Sequence, residues 1–162
     1  MGVGPANVAQ AVALVSRDLS ATLGLSRETA EALARREAVA AAEIMNEWDD
    51  DEVSWPLFLA RVVEETQQWL HDTFIDTTWP RCPEHESHPL WLNDDESGGW
   101  ACAATNTTVC PVGQLGTLVA VDEATAAMNV GRLEANSAQD ATMLARHDRG
   151  FRRRGSRRLP WR

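Results

Sequence analysis

Cys82-Pro83-Glu84-His85 sets a thiol and an imidazole three positions apart, the spacing of a tight knuckle, and His88 follows three residues later. Two further thiols stand at Cys102 and Cys110. Thiolate and imidazole together are the ligand set that borderline-soft zinc favours, and zinc holds them in a closed tetrahedron without redox chemistry. If Thr105-Asn106-Thr107 is a three-residue hairpin loop, Cys102 faces Cys110. Their Cβ atoms then lie about 5 Å apart, close enough for both sulfurs to reach one ion. A one-residue slip would put them on opposite faces. The predicted metal ligands are therefore Cys82, His85, Cys102 and Cys110, with His88 as the substitute if the knuckle is wider. Four protein ligands leave no place for water, so the expected cofactor is a structural Zn2+ rather than a catalytic one. Two plainer readings stay open. The thiols are small apolar core residues, or Cys102 and Cys110 form a cross-strand disulfide in an oxidising compartment.

Residues 79–115 resemble a zinc ribbon, in which knuckle ligands precede ligands on a β-hairpin. They are also similar to a segment of uncharacterised small proteins of high-GC bacteria and their phages, in which Cys-x-x-His-x-x-His-Pro-Leu-Trp precedes Trp-x-Cys. Here those positions are Cys82, His85, His88, Pro89, Leu90 and Trp91, then Trp100 and Cys102. A ribbon usually carries a second Cys-x-x-Cys knuckle, whereas this chain has seven residues between Cys102 and Cys110. The resemblance implies a structural or partner-binding module and brings no activity with it.

Other chemistries fail on spacing. Glu84-His85-Glu86-Ser87-His88 places its histidines three apart before a proline, not four apart on a helix as a zincin requires. No Pro-Cys-x-x-Cys follows for a deaminase. The chain has no Lys, so a phosphate-binding loop lacks its ammonium. A Cys–His nucleophile is the weaker use of residues at metal-ligand spacing. Carboxylates such as Glu43, Glu47, Glu64 and Glu65 lack the Glu-x-x-His partners of a di-metal helical site and read as a solvated face. The expectation is that the protein is not an enzyme.

A second signal lies at the C-terminus. Residues 146–162 hold eight Arg against one acid, for +7, while residues 1–145 hold seven Arg and 23 acids, for −16; together they give the net −9. Arg152, Arg153, Arg154, Arg157 and Arg158 present guanidinium forks suited to phosphates, and Trp161 can stack on a base or enter a protein pocket. Nucleic acid is thus a candidate partner through the tail, although the acidic body would repel a polyanion beyond the tail's reach. The tail could equally bind the acidic body of its own or a neighbouring subunit.

The elements that must position these side chains follow from hydrophobic periodicity. With 162 residues, 44% hydrophobic, the chain supports one core of moderate size and is neither disordered throughout nor disulfide-dense. Pro5 suits a helix start, and Val8, Val12, Val15 and Leu19 form one stripe that Gly24 ends. Ser26 caps an Ala-rich second helix running to about Trp48. Ser54 caps a third, with Leu59, Val62, Val63, Leu70 and Phe74 as its apolar face. After Thr78 the texture changes: 89–92, 100–104 and 109–112 read as short strands, with a fourth at 118–121. A helix from about Asp122 to Ala135, a short one near Ser137, and the tail complete the chain.

The predicted fold is α+β. Residues 1–78 form an antiparallel helical bundle, 79–121 a zinc-ribbon-like antiparallel β module, 122–145 short helices, and 146–162 an Arg-rich disordered tail. The start of the chain has no cation before Arg17, unlike a secretory signal, and no apolar run reaches the length of a membrane span. A cytoplasmic protein, or a virion component if phage-encoded, is expected. The expected function is a non-enzymatic interaction or assembly protein that binds a protein partner or self-associates. The alternative is a nucleic-acid-binding regulator acting through the tail and ribbon.

Overall fold

Pro5 fixes the backbone for the first turn of helix α1, Pro5–Leu23, which Gly24 ends in the left-handed conformation at φ 69°. Ser26 Oγ accepts the Thr29 N–H at 3.1 Å and so starts α2, Arg27–Asn46. On α2, Ala30, Ala34, Ala38 and Ala41 are fully buried, small enough for α1 and α3 to approach its backbone closely. Helix α3, Trp55–Asp72, begins after Ser54 with a proline in its first turn, but the Ser54 side chain makes no capping hydrogen bond; fixed φ at Pro56 starts the helix instead. Its face Phe58, Leu59, Val62, Val63 and Leu70 is buried as the periodicity predicts. A further helix, α4, covers 124–136.

The computed structural model describes residues 2–47, 53–73, 75–85, 87–93, 98–118 and 124–136. Trp48, Phe74, the fourth-strand residues 119–121, the short helix near Ser137 and the whole Arg-rich tail lie outside these. Leu118 itself follows a 3-10 turn, Leu115–Thr117, rather than opening a strand.

The middle of the chain forms a three-stranded antiparallel sheet in the order β1-β2-β3: Leu90–Leu92, Gly99–Cys102 and Thr107–Pro111. The fold is therefore α+β, helices first and a small β module after them. Strands of this length bury little by themselves. Leu90, Leu92, Trp100 and Cys102 join a core cluster that runs continuously into Val15, Leu19, Phe58 and Leu70 of the helices.

The hairpin register departs from expectation. Cys102 pairs with Thr107, and Trp100, not Cys102, pairs with Cys110. Two local features cause this. The loop has four residues, 103–106, closed by the Asn106 N–H on the Cys102 carbonyl at 2.8 Å, with Asn106 at φ 54°, a conformation Asn tolerates. A bulge then interrupts the pairing between Trp100 and Ala101, leaving Val109 as the extra residue on β3.

Candidate metal centre

Two anchors hold the segments that carry the candidate ligands, the first at the loop bearing Cys82, His85 and His88. From α3, Gln67 Nε2 donates to the carbonyls of Trp79 at 3.2 Å and Leu90 at 2.9 Å, tying together the residues that flank the loop. Inside it, Arg81 bridges Pro89, the Cys82 N–H bonds the His88 carbonyl at 3.3 Å, and the His88 N–H bonds the His85 carbonyl at 3.4 Å. These contacts fold 81–89 back on itself and bring Cys82, His85 and His88 to one side.

The second anchor is Asp18 on α1, fully buried. Its carboxylate accepts the Trp100 indole N–H at 2.7 Å, the Gly113 N–H at 2.7 Å and the Leu115 N–H at 2.9 Å. Gly113 sits at φ 89°, and a side chain there would meet Leu14 at 2.9 Å, so only glycine lets this backbone reach the carboxylate. One turn along α1, the Thr22 hydroxyl accepts the Trp79 indole N–H at 2.8 Å, and Trp79 and Trp100 meet edge to face at 5.5 Å. A single turn of α1 thus grips the indoles lying three residues before Cys82 and two before Cys102. Burial raises the Asp18 carboxyl, opposed by the hydrogen bonds from Gly113, Trp100 and Leu115 and by the charge of Arg17.

Between these anchors Cys82, His85, His88 and Cys102 each direct one ligand atom to a common point, all four atoms lying within 4.8 Å of one another. His85 Nδ1 is 3.6 Å from Cys82 Sγ and 3.3 Å from Cys102 Sγ, and His88 Nε2 is 3.9 Å from Cys102 Sγ. Tetrahedral zinc, with Zn–S near 2.3 Å and Zn–N of 2.0–2.1 Å, sets a sulfur–nitrogen edge of about 3.6 Å. The observed separations bracket that edge, so the residues fit one ion. The other ring nitrogen of His88, Nδ1, lies 3.0 Å from the Pro89 carbonyl. A carbonyl only accepts, so Nδ1 carries the proton and the Nε2 lone pair faces the sulfur, the tautomer a metal ligand needs. Both thiols are 1% exposed, while the two imidazoles are half-buried and stack at 5.3 Å, so the site turns its sulfurs to the core and its rings outward.

Cys110 lies outside this group, which corrects its expected place in it; His88 is the fourth member instead. The four-residue loop and the bulge move Cys110 two residues along β2 to face Trp100, beside Asp18. Burial and the Asp18 charge push the Cys110 thiol up to about 11, leaving it neutral and a poor ligand at neutral pH. Cys102 is the reverse case. A hydrogen bond from the Thr105 side chain, opposed by burial and joined by the Thr105 and Ala104 backbone N–H groups and by Cys82, lowers it to about 6. Cys102 is therefore the more readily ionised of these two sheet thiols. The same four-residue loop that displaced Cys110 supplies the Thr105 and Ala104 donors.

Comparison with protein families, curated proteins and solved structures gives a short answer. None of them matches the chain. Cys82, His85 and Cys102 come together as the spacing predicted. Asp18 was missed, although its position three residues after Val15 and one before Leu19 on the apolar side of α1 is a signal that a buried partner awaits it. Arg152, Arg153, Arg154, Arg157, Arg158 and Trp161, the predicted tail site, lie outside the described residues. Among the described residues no helix is long and apolar enough to cross a membrane.

Proposed function

We propose that this is a non-enzymatic interaction protein whose β module is fixed by a structural zinc ion held by Cys82, His85, His88 and Cys102. The observation that carries the reading is the convergence of four electron-pair donors within 4.8 Å of one another, with the sulfur–nitrogen contacts at 3.3–3.9 Å. Four protein ligands complete zinc's usual shell and leave no position for a reacting water, which favours a scaffold over a catalyst. The ion's work is local: strands of three, four and five residues and a loop with little apolar content gain a cross-link that hydrophobic burial alone does not supply. A knuckle followed by a hairpin ligand supports the zinc-ribbon resemblance in outline, with the second histidine replacing the hairpin's second thiol.

What the scaffold presents is a mixed surface, apolar side chains beside Arg61, Glu64 and Gln67. Leu57 and Trp91, 50% and 39% exposed, line one shallow depression between α3 and β1 together with Met45, Val63 and Leu92. Trp91 points outward from β1 while Leu90 and Leu92 point into the core, so the strand that the metal loop leads into also carries the exposed indole. Apolar surface of this kind supports binding of a protein partner or of a second copy. The Arg-rich tail adds a phosphate-seeking or acid-seeking arm on grounds of sequence alone.

Metal analysis of the purified full-length protein tests the reading. The expected result is one zinc per chain, lost in Cys102→Ser and retained in Cys110→Ser. A metal-free protein that takes up no added zinc would overturn it.

A further inference from the structure

The cage places two thiols, and only two of the chain's three, within 4.8 Å of each other. Cys82 sits in the folded-back loop and Cys102 at the last position of β2, so they are distant in sequence and joined by no local backbone constraint. A disulfide needs its sulfurs at about 2.05 Å, and the segments that carry these two sulfurs are held close by the anchors from Gln67 and Asp18. The third thiol is excluded by position: Cys110 faces Trp100 across the bulge.

We infer that Cys82 and Cys102 are also a thiol–disulfide pair, so that the site holds either a metal ion or an S–S bond between these two residues, with a low-molecular-weight disulfide such as oxidised glutathione as the reactant. The inference rests on the metal reading for its first state and on the sulfur geometry alone for its second. In the reaction one cysteine thiolate attacks a sulfur of the oxidant, whose S–S bond breaks and releases one glutathione thiolate. The second cysteine thiolate attacks the resulting mixed disulfide at the protein sulfur and displaces the other glutathione thiolate. The two cysteines lose two electrons, the oxidant gains them, and each departing thiolate takes a proton from water.

Zinc keeps its oxidation state throughout. It leaves because the new S–S bond removes both negative charges that held it, and two imidazoles alone bind far more weakly. The sulfurs are buried and the imidazoles are the exposed side, so a reactant reaches the thiols only when the rings swing away. Bound metal therefore protects the pair, and a chelator exposes it.

The test uses the full-length, zinc-loaded protein with excess oxidised glutathione, with and without a chelator. Zinc release is followed by a chromogenic dye, and the cysteines are then mapped by alkylation and peptide mass. The expected result is one zinc released per S–S bond formed, the bond linking Cys82 to Cys102, Cys110 left alkylatable, and faster oxidation with chelator. Dithiothreitol with added zinc should restore the metal-bound form, and Cys110→Ser should behave as the natural protein. A Cys102–Cys110 bond, lasting glutathione adducts on single cysteines, or metal-stripped thiols that stay reduced would overturn the pair. A protein that binds no zinc yet forms the Cys82–Cys102 bond would sink the metal reading and uphold the pair. One that binds zinc but never forms the bond does the opposite.

Discussion

Two polar clusters sit where the helices meet the sheet, one fully buried and one with its rings turned outward, and they differ in what completes them. Around Asp18 the carboxylate offers acceptors and the protein supplies three donors, from Trp100, Gly113 and Leu115. That cluster is closed by the chain itself. Around Cys102 four sulfur and nitrogen atoms lie within 4.8 Å of one another, linked only by weak thiol–imidazole contacts, and the Nδ1 proton of His88 is engaged with the Pro89 carbonyl. Contacts of 3.3–3.9 Å to sulfur are weak hydrogen bonds, so these thiols and rings keep lone pairs available for a cation. The Asp18 cluster is a latch that works in the bare polypeptide; the Cys–His cluster is a socket. The latch also sets the socket, since the two indoles gripped by α1 belong to the segments that deliver Cys82 and Cys102.

The contrast can be broken by experiment. The largest effect is expected from Asp18→Ala, which orphans three buried donors at about 1–3 kcal/mol each, a large share of the 5–15 kcal/mol that holds a typical domain together. The variant should unfold at far lower denaturant, metal or no metal. Next comes removal of the ion. A chelator should cost amide-exchange protection in 79–111 while helical circular dichroism from α1, α2 and α3 largely persists; equal loss in both regions would mean that the socket and the latch are one unit. Thr22→Val removes the acceptor of the Trp79 indole and should cost about 1–3 kcal/mol by thermal melting, with zinc still bound but more easily chelated.

The smallest effect concerns pH. Burial raises the Asp18 carboxyl above its ordinary 3.8, so the folded state binds that proton more tightly than the unfolded chain does. Its contribution to stability is complete below about pH 3.8 and is lost as pH rises through the folded value. Asp18→Asn cannot titrate. The stability advantage of the natural protein over this variant should therefore shrink with rising pH across that window, as urea titrations at several pH values would show. An advantage that grows with pH would mean that the hydrogen bonds outweigh burial.

The helices were legible because their signals are local: Pro5, Gly24 and Ser26 mark ends, and the stripes through Val15 and Val62 mark faces. Three of the candidate ligands were legible because Cys82 and His85 share one short loop and Trp100-x-Cys102 lies in a strand. The fourth was not. Choosing His88 over Cys110 required knowing that Asn106 takes a left-handed turn and that Val109 bulges, two backbone choices with no hydrophobic periodicity behind them. Asp18 was hidden for a different reason. Its partners lie 82 to 97 residues away, and a lone acid beside an apolar stripe does not name the donors it will meet.

The central claim is the identity of the four ligands, and X-ray absorption at the zinc edge reads it directly. The account predicts two sulfurs at about 2.3 Å and two nitrogens at about 2.0–2.1 Å, unchanged in Cys110→Ser. Three sulfurs and one nitrogen, with the third sulfur lost in Cys110→Ser, would contradict it.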